Sequence, residues 1–311
     1  MSRRWVLTLL LLAPALLAAG DPNEWIAQAA TRSTPGSFPR SWLGQPLYWT
    51  VVGTADGDFE ALLSDEGSFE PRREGFSIEP FLFVEGTRIT ARDAARSQSL
   101  EEGDLPIPSV AWEHSRARLR VRAFAADPGT AVVSYRVENP RTEPARSELW
   151  LALRPMQVLP TWQFLNLQPG FSPIRDISFR ERRVWLNSLL AFEVSTPPDA
   201  FGAASPDLGD ALETGVLPEA TAASDSDGLA AGALVWRFTL APHATREVQV
   251  CVPLRDVLEG GSCSASRTLS ETKTSWRKQL TRAEIELPRA FGDVARTFRT
   301  SLAHLLINRD G

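Results

Sequence analysis

Residues 117–139 read ARLRVRAFAADPGTAVVSYRVEN, and their alternation decides the fold. Leu119, Val121 and Ala123 alternate with arginines, and Val133, Tyr135 and Val137 alternate in return. A side-chain period of two gives each run one apolar face and one wet face. Between the runs, Asp127-Pro128-Gly129 supplies the residues that reverse a chain. The stretch predicts a half-buried antiparallel hairpin.

Working outward, short apolar runs separated by Gly, Pro, Asp and Asn continue from Phe38 to about Pro253. Strands are predicted at 46–53, 81–91 (with Glu85-Gly86 near a turn), 147–158, 174–195, 232–242 and 246–254. No fixed-period repeat and no strand–helix alternation is present, which disfavours propellers, solenoids and doubly wound sheets. The reading is mainly β, a large antiparallel super-β-sandwich. Residues 197–227, rich in Ala, Asp, Pro and Ser, are expected to form an exposed insertion or a partly ordered loop.

The 311 residues carry 43% hydrophobic and 23% charged side chains and a net charge of −5, the balance of a globular protein. The arginines are scattered among carboxylates, so neither a nucleic-acid face nor a polybasic membrane patch is expected. At the start, Arg3 and Arg4 precede an apolar run from Trp5 to about Ala19, closed by the small residues Ala18 and Gly20. That is the pattern of a signal peptide over 1–20, so the chain is expected to be exported, periplasmic or extracellular. The run is short for a membrane span. Cys251 and Cys263 would then meet an oxidising compartment, where so close a pair either closes a small loop or stays apart. His114, His243 and His304 lie far apart in sequence, so neither a metal site nor a cofactor is expected.

After Cys263 the texture changes. Trp276 and Leu280 fall four apart among charges in 269–288, which predicts a short amphipathic helix ahead of the strand-like AEIELP. Phe291, Val294, Phe298, Leu302, Leu305 and Leu306 give the final stretch helical spacing with one apolar face, for which the sequence shows no partner. The organisation is a signal over 1–20, a leader over 21–37, a sandwich over 38–265, a helical linker over 266–288 and a new helix over 289–311.

That order resembles the front end of the bacterial glucoamylase-like and disaccharide-phosphorylase enzymes, in which a super-β-sandwich and helical linker precede an (α/α)6 barrel. LWLALRPMQVLPTWQFL (149–165) and ARTFRTSLAHLLINRDG (295–311) carry the likeness. The resemblance implies that 289–311 begins a six-hairpin glycosidase domain that continues beyond Gly311. It also implies that the catalytic carboxylates lie on barrel loops outside this chain. The chain by itself is then a non-catalytic, glycoside hydrolase-like portion that shapes an intramolecular (α/α)6 domain acting on carbohydrate. The other reading is a freestanding exported module that binds polysaccharide or the cell envelope.

The candidate residues are few. Glycoside hydrolysis needs two carboxyl groups flanking one bond. Asp56/Asp58, Glu101/Glu102 and Asp225/Asp227 supply pairs, but turn and loop chemistry explains each more simply. His114 stands beside Ser115 without a nucleophile elbow, and adjacent strand residues face opposite ways. Of ten tryptophans, Trp49, Trp112, Trp150, Trp185 and Trp236 sit in strand-like runs and suit the core. Trp162 differs. It lies in a loop beside Gln163 and downstream of Arg154, where ring, amide and guanidinium would contact a saccharide or seal a domain interface.

Overall fold

A computed structural model describes residues 21–55, 57–72, 75–159, 170–257, 268–283, 285 and 287–309. Among them, two antiparallel sheets face one another. The first has the order β1 (Trp49–Val52), β2 (Ala61–Ser64), β3 (Phe69–Glu70), β4 (Ser77–Val84), β10 (Ala145–Arg154), β16 (Ala231–Leu240) and β14 (Ala200–Ala204), with β5 (Thr87–Ile89) beside β4. The second runs β15 (Ala222–Ser224), β11 (Asp176–Arg180), β12 (Arg183–Leu186), β13 (Leu189–Val194), β17 (Thr245–Pro253), β9 (Thr130–Glu138), β8 (Arg118–Asp127), β7 (Leu105–Glu113) and β6 (Ala95–Glu101). The chain is mainly β, as the alternation predicts.

The 117–139 hairpin forms β8 and β9, paired Leu119↔Val137 and Val121↔Tyr135, with Asp127 Oδ1 accepting from the Gly129 amide at 2.9 Å in the turn. These inward residues meet Leu149, Leu151 and Leu153 of β10 and Ile78 and Leu82 of β4 in one core. Glu85 and Gly86 have φ of 50° and 74°, so the β4–β5 turn needs two left-handed residues, and glycine supplies one without a Cβ clash.

The helices cover the outer faces. α1 (Pro22–Arg32) is capped by Asp21, whose side chain accepts from Asn23, and Pro22 opens its first turn. Together with Phe38 and with Trp42 of the 3-10 turn that follows (Arg40–Leu43), its Ile26 and Ala30 pack on Met156 and Leu229. α2 (Gly209–Thr214) lays Ala211 and Leu212 on Phe81, Phe83 and Trp150 of the first sheet. α3 (Leu269–Leu280) and α4 (Gly292–Ile307) cover one end of the second sheet.

The structure departs from expectation in two places. The 197–227 segment contains β14, α2 and β15 and belongs to both sheets. Its small residues serve close approach: a Cβ on Gly202 would lie 2.6 Å from the Pro218 carbonyl oxygen. The final helix also has a partner within the chain. Ala303 and Ile307 of α4 are buried against the sandwich, and a Cβ on Gly53 would come within 2.6 Å of the Ile307 Cγ2.

Candidate functional site

β10 alternates between core and outer face. Leu149, Leu151 and Leu153 point into the core, so Trp150, Ala152 and Arg154 face outward beneath α1, α2 and the 3-10 turn. Cross-strand register sets Ala152 opposite Glu79 of β4 and Arg154 opposite Ser77. Arg154 Nε donates to Glu79 Oε1 at 3.1 Å, its Nη2 donates to Oε2, and Ser77 Oγ donates to Oε1 at 2.6 Å. The guanidinium carbon lies 4.6 Å from the Phe38 ring centroid and 5.8 Å from that of Phe81. Arg154 is fully buried and the Glu79 side chain is 4% exposed.

This fork is a buried, charge-assisted pair in which Glu79 takes the Nε and Nη2 donors, while among the described residues Nη1 is buried without a hydrogen-bond partner. Asp207, beside Arg154, is pushed above the usual carboxylate range by burial, with the Arg154 charge opposing that push. Further polar latches secure the chain leaving β10. Glu70 Oε2 accepts from the Val158 amide at 2.6 Å, and the Gln157 side-chain amide donates to the Phe171 carbonyl at 3.1 Å. Arg154 is therefore an interior side chain engaged with Glu79 and Phe38. Trp162 and Gln163 lie outside the described residues, and so does Cys263. Cys251 is disulfide-bonded and packs beneath α3.

The second candidate region is α3 with α4. Thr268 and Glu271 close a capping box at the start of α3, satisfying amides that the first turn leaves open. Trp276 and Leu280 then bury against Ile107, Phe124, Val132 and Cys251. Ions fix the position: Lys273 pairs with Glu101 at 2.7 Å and Glu102 at 2.9 Å, and Arg277 Nε donates to Glu102 at 2.9 Å. Those hydrogen bonds from Arg277 and Lys273 hold the Glu102 carboxyl down at about 2. Arg299 of α4 reaches Asp104 at 2.5 Å.

α4 has two apolar sides. Ala303 and Ile307 face the sandwich, while Phe291 at the N-cap stands 53% exposed, and Val294 and Leu305 stand 54% and 69% exposed. The spacing of 291, 294, 298 and 305 puts these residues and the half-buried Phe298 on one stripe away from Ile307. Beside it runs a groove of about 590 Å³ lined by Glu102, Leu105, Arg277, Leu280, Ile285 and Phe298.

Other sequence candidates resolve into structure. Glu101 and Glu102 hold α3, and Asp225 accepts from the Asp227 amide at 2.8 Å inside a turn. Asp56 lies outside the described residues. His114 Nδ1 accepts from the Arg116 amide at 3.2 Å at a strand end. Trp112, Trp150 and Trp236 are buried in the sandwich, and Trp49 and Trp185 are half-buried. Sequence reasoning missed Glu79 and Asp207. A lone acid inside the apolar run SIEPFLFV (77–84) is the signal that reveals a buried partner for Arg154.

No family model and no curated protein matches the chain. Solved structures with a distant likeness include a GH92 family glycosyl hydrolase (TM-score 0.40, 12% identity, 84% of this chain and 39% of that one). A protein named for kojibiose phosphorylase, from the human microbiome, aligns over 83% of this chain and 31% of its own, with TM-score 0.34 and 8% identity. One named for aldose 1-epimerase, from Escherichia coli K12, has TM-score 0.36 and 10% identity over 67% of this chain and 99% of its own. The chain thus spans well under half the length of the hydrolase and of the phosphorylase. These names belong to carbohydrate-active proteins, and at this level of likeness they fix neither a substrate nor a reaction for this chain.

Proposed function

We propose that this chain is the exported, non-catalytic sandwich of a carbohydrate-active enzyme and that α4 seats a helical catalytic domain. The two-sided α4 carries the reading. One side is committed to the sandwich through Ala303 and Ile307, and the other offers an apolar stripe to water. A helix that is apolar on opposite sides suits the junction between two bodies. The buried acids support a supporting role, because Glu79 is occupied by Arg154 and Asp104 by Arg299.

The coding sequence past Gly311 is the direct test. A continued frame encoding amphipathic helix pairs supports the seat, whereas an immediate stop codon favours the freestanding binding module. In the continued protein, Val294→Asp with Leu305→Asp should uncouple the helical domain while leaving the sandwich folded. Purified residues 21–311 should show no turnover of maltose, starch, cellobiose or chitobiose, with or without phosphate. Turnover that a substitution inside 38–265 abolishes would overturn the proposal.

A further inference from the structure

The outward side chains of β8 change character along the strand: Arg118, Arg120 and Arg122 come first, then Phe124 and Ala126, which are buried with α3 and α4 in one apolar cluster. Among the described residues, no helix covers the arginine half of the sheet, where Arg118 and Arg120 are exposed. Register builds a row across it, Ser97↔Ala111↔Arg120↔Arg136↔Glu247, so two arginines stand directly opposite one another on neighbouring strands. Like charges so placed are unfavourable, and a sheet tolerates them best when each finds an acid.

The neighbouring acids are engaged elsewhere. Glu113 and Glu138 hold Arg118 at 2.6 and 2.7 Å, and Glu247 Oε1 accepts from the Gln249 side-chain amide, Nε2, at 2.8 Å. Arg122 pairs with Glu101 at 3.6 Å and reaches Ser109 Oγ at 3.4 Å. Among the described residues Arg120 and Arg136 have no hydrogen-bond or ion-pair partner, and both are exposed over a shallow cleft of about 330 Å³. Two planar forks side by side are built for carboxylate, sulfate or phosphate oxygens.

We infer that this face binds a uronate-bearing polysaccharide, whose carboxylates take the Arg120–Arg136 pair. Three features select that partner. The rim acids Glu113, Glu138 and Glu247 keep the net positive charge of the cleft low, which disfavours a dense polyanion such as duplex DNA, with one charge per about 1.7 Å. A uronate chain carries only one charge per sugar, and the hydroxyls available to it are those of Ser134, which lines the cleft, and of Ser97, which ends the row that holds Arg120 and Arg136. Among the described residues, the cleft has none of the exposed aromatic or large aliphatic anchors on which protein partners concentrate their affinity. The inference stands independently of whether α4 seats a second domain.

The probe is polygalacturonate at low ionic strength, titrated into the chain with its fully methyl-esterified form in parallel. Wild type should bind the acid form only. Arg120→Gln with Arg136→Gln should weaken binding by about ten-fold or more, as expected for losing charge-assisted forks, and the double Lys variant should not restore it. Arg146→Gln on the opposite sheet, whose side chain is 81% exposed, should bind as wild type does. Absent binding, equal binding of the ester, undiminished binding by the double Gln variant, or displacement by duplex DNA at equal charge would each overturn the inference. Unchanged melting temperatures keep a folding defect from passing as lost affinity.

Discussion

Among the described residues, an eight-stranded and a nine-stranded sheet press their inner faces into one core, yet their outer faces are finished in opposite ways. The first sheet buries Glu79 and Arg154 beneath α1, α2 and the 3-10 turn, where each charge is the other's solvent. The second leaves Arg120 and Arg136 in water without an acid between them. The same side chain is structural in one place and available in the other. What separates the cases is the buried acid that Arg154 has and that, among the described residues, Arg120 and Arg136 do not, whereas the sequence around the three looks alike: all lie on strands that alternate with leucine or valine.

The largest expected effect breaks the covered face. Glu79→Ala leaves an unpaired guanidinium in the interior and should cost about 3–5 kcal/mol in denaturant unfolding. Glu79→Leu combined with Arg154→Met removes both charges and should cost far less. If the single variant behaves as a surface pair does, losing under about 1 kcal/mol, the covered face is wetter than its geometry implies.

Within α4 the same contrast is compressed into two side chains. Ile307→Ala empties a fully buried site and should cost about 2–4 kcal/mol, whereas Leu305→Ala, at 69% exposure, should stay within about 0.5 kcal/mol. Gly53→Ala crowds Ile307 and should cost about 1–3 kcal/mol by overpacking. Equal effects at 305 and 307 in thermal melts would mean that the helix is not anchored by one side.

These contrasts also explain what the sequence shows and what it hides. The 117–139 hairpin was legible because one face is wet and the other dry, which writes a period of two. β4 shows no alternation, since SIEPFLFV is buried on both faces, so Glu79 looks like an accident until Arg154 is placed opposite its strand. β6, ARSQSLE, fails for the converse reason: as an edge strand it is exposed along most of its length. α1 did carry its signal, an Asp cap followed by Pro, inside a segment read as a leader. Of the candidate site, Arg154 was named from the sequence, but its burial depends on helices far away in the chain.

Acidity separates the two faces more gently. Burial raises the Asp207 carboxyl, so the folded chain holds that proton to higher pH than the unfolded chain does. Its contribution to stability is therefore present at acid pH and lost as pH rises through the folded value. Asp207→Asn should stabilise the protein at neutral pH and flatten its stability profile above the ordinary carboxylate range. A profile unchanged by the substitution would place Asp207 in ordinary solvent contact.

The smallest effect belongs to the open face. Relieving the Arg120–Arg136 opposition with Arg120→Gln should raise stability by about 0.2–0.5 kcal/mol at low salt, the scale of a cross-strand charge pair. The gain should vanish as salt screens the repulsion. A surface arginine that served only solubility has no reason to be opposed to another, and a fold selected for stability alone would exchange one of them. A chain that becomes more stable and loses uronate binding through the same substitution is one whose open face is kept for a ligand. Loss of stability with Arg120→Gln would instead reveal an unseen favourable contact and return Arg120 to the structural class of Arg154.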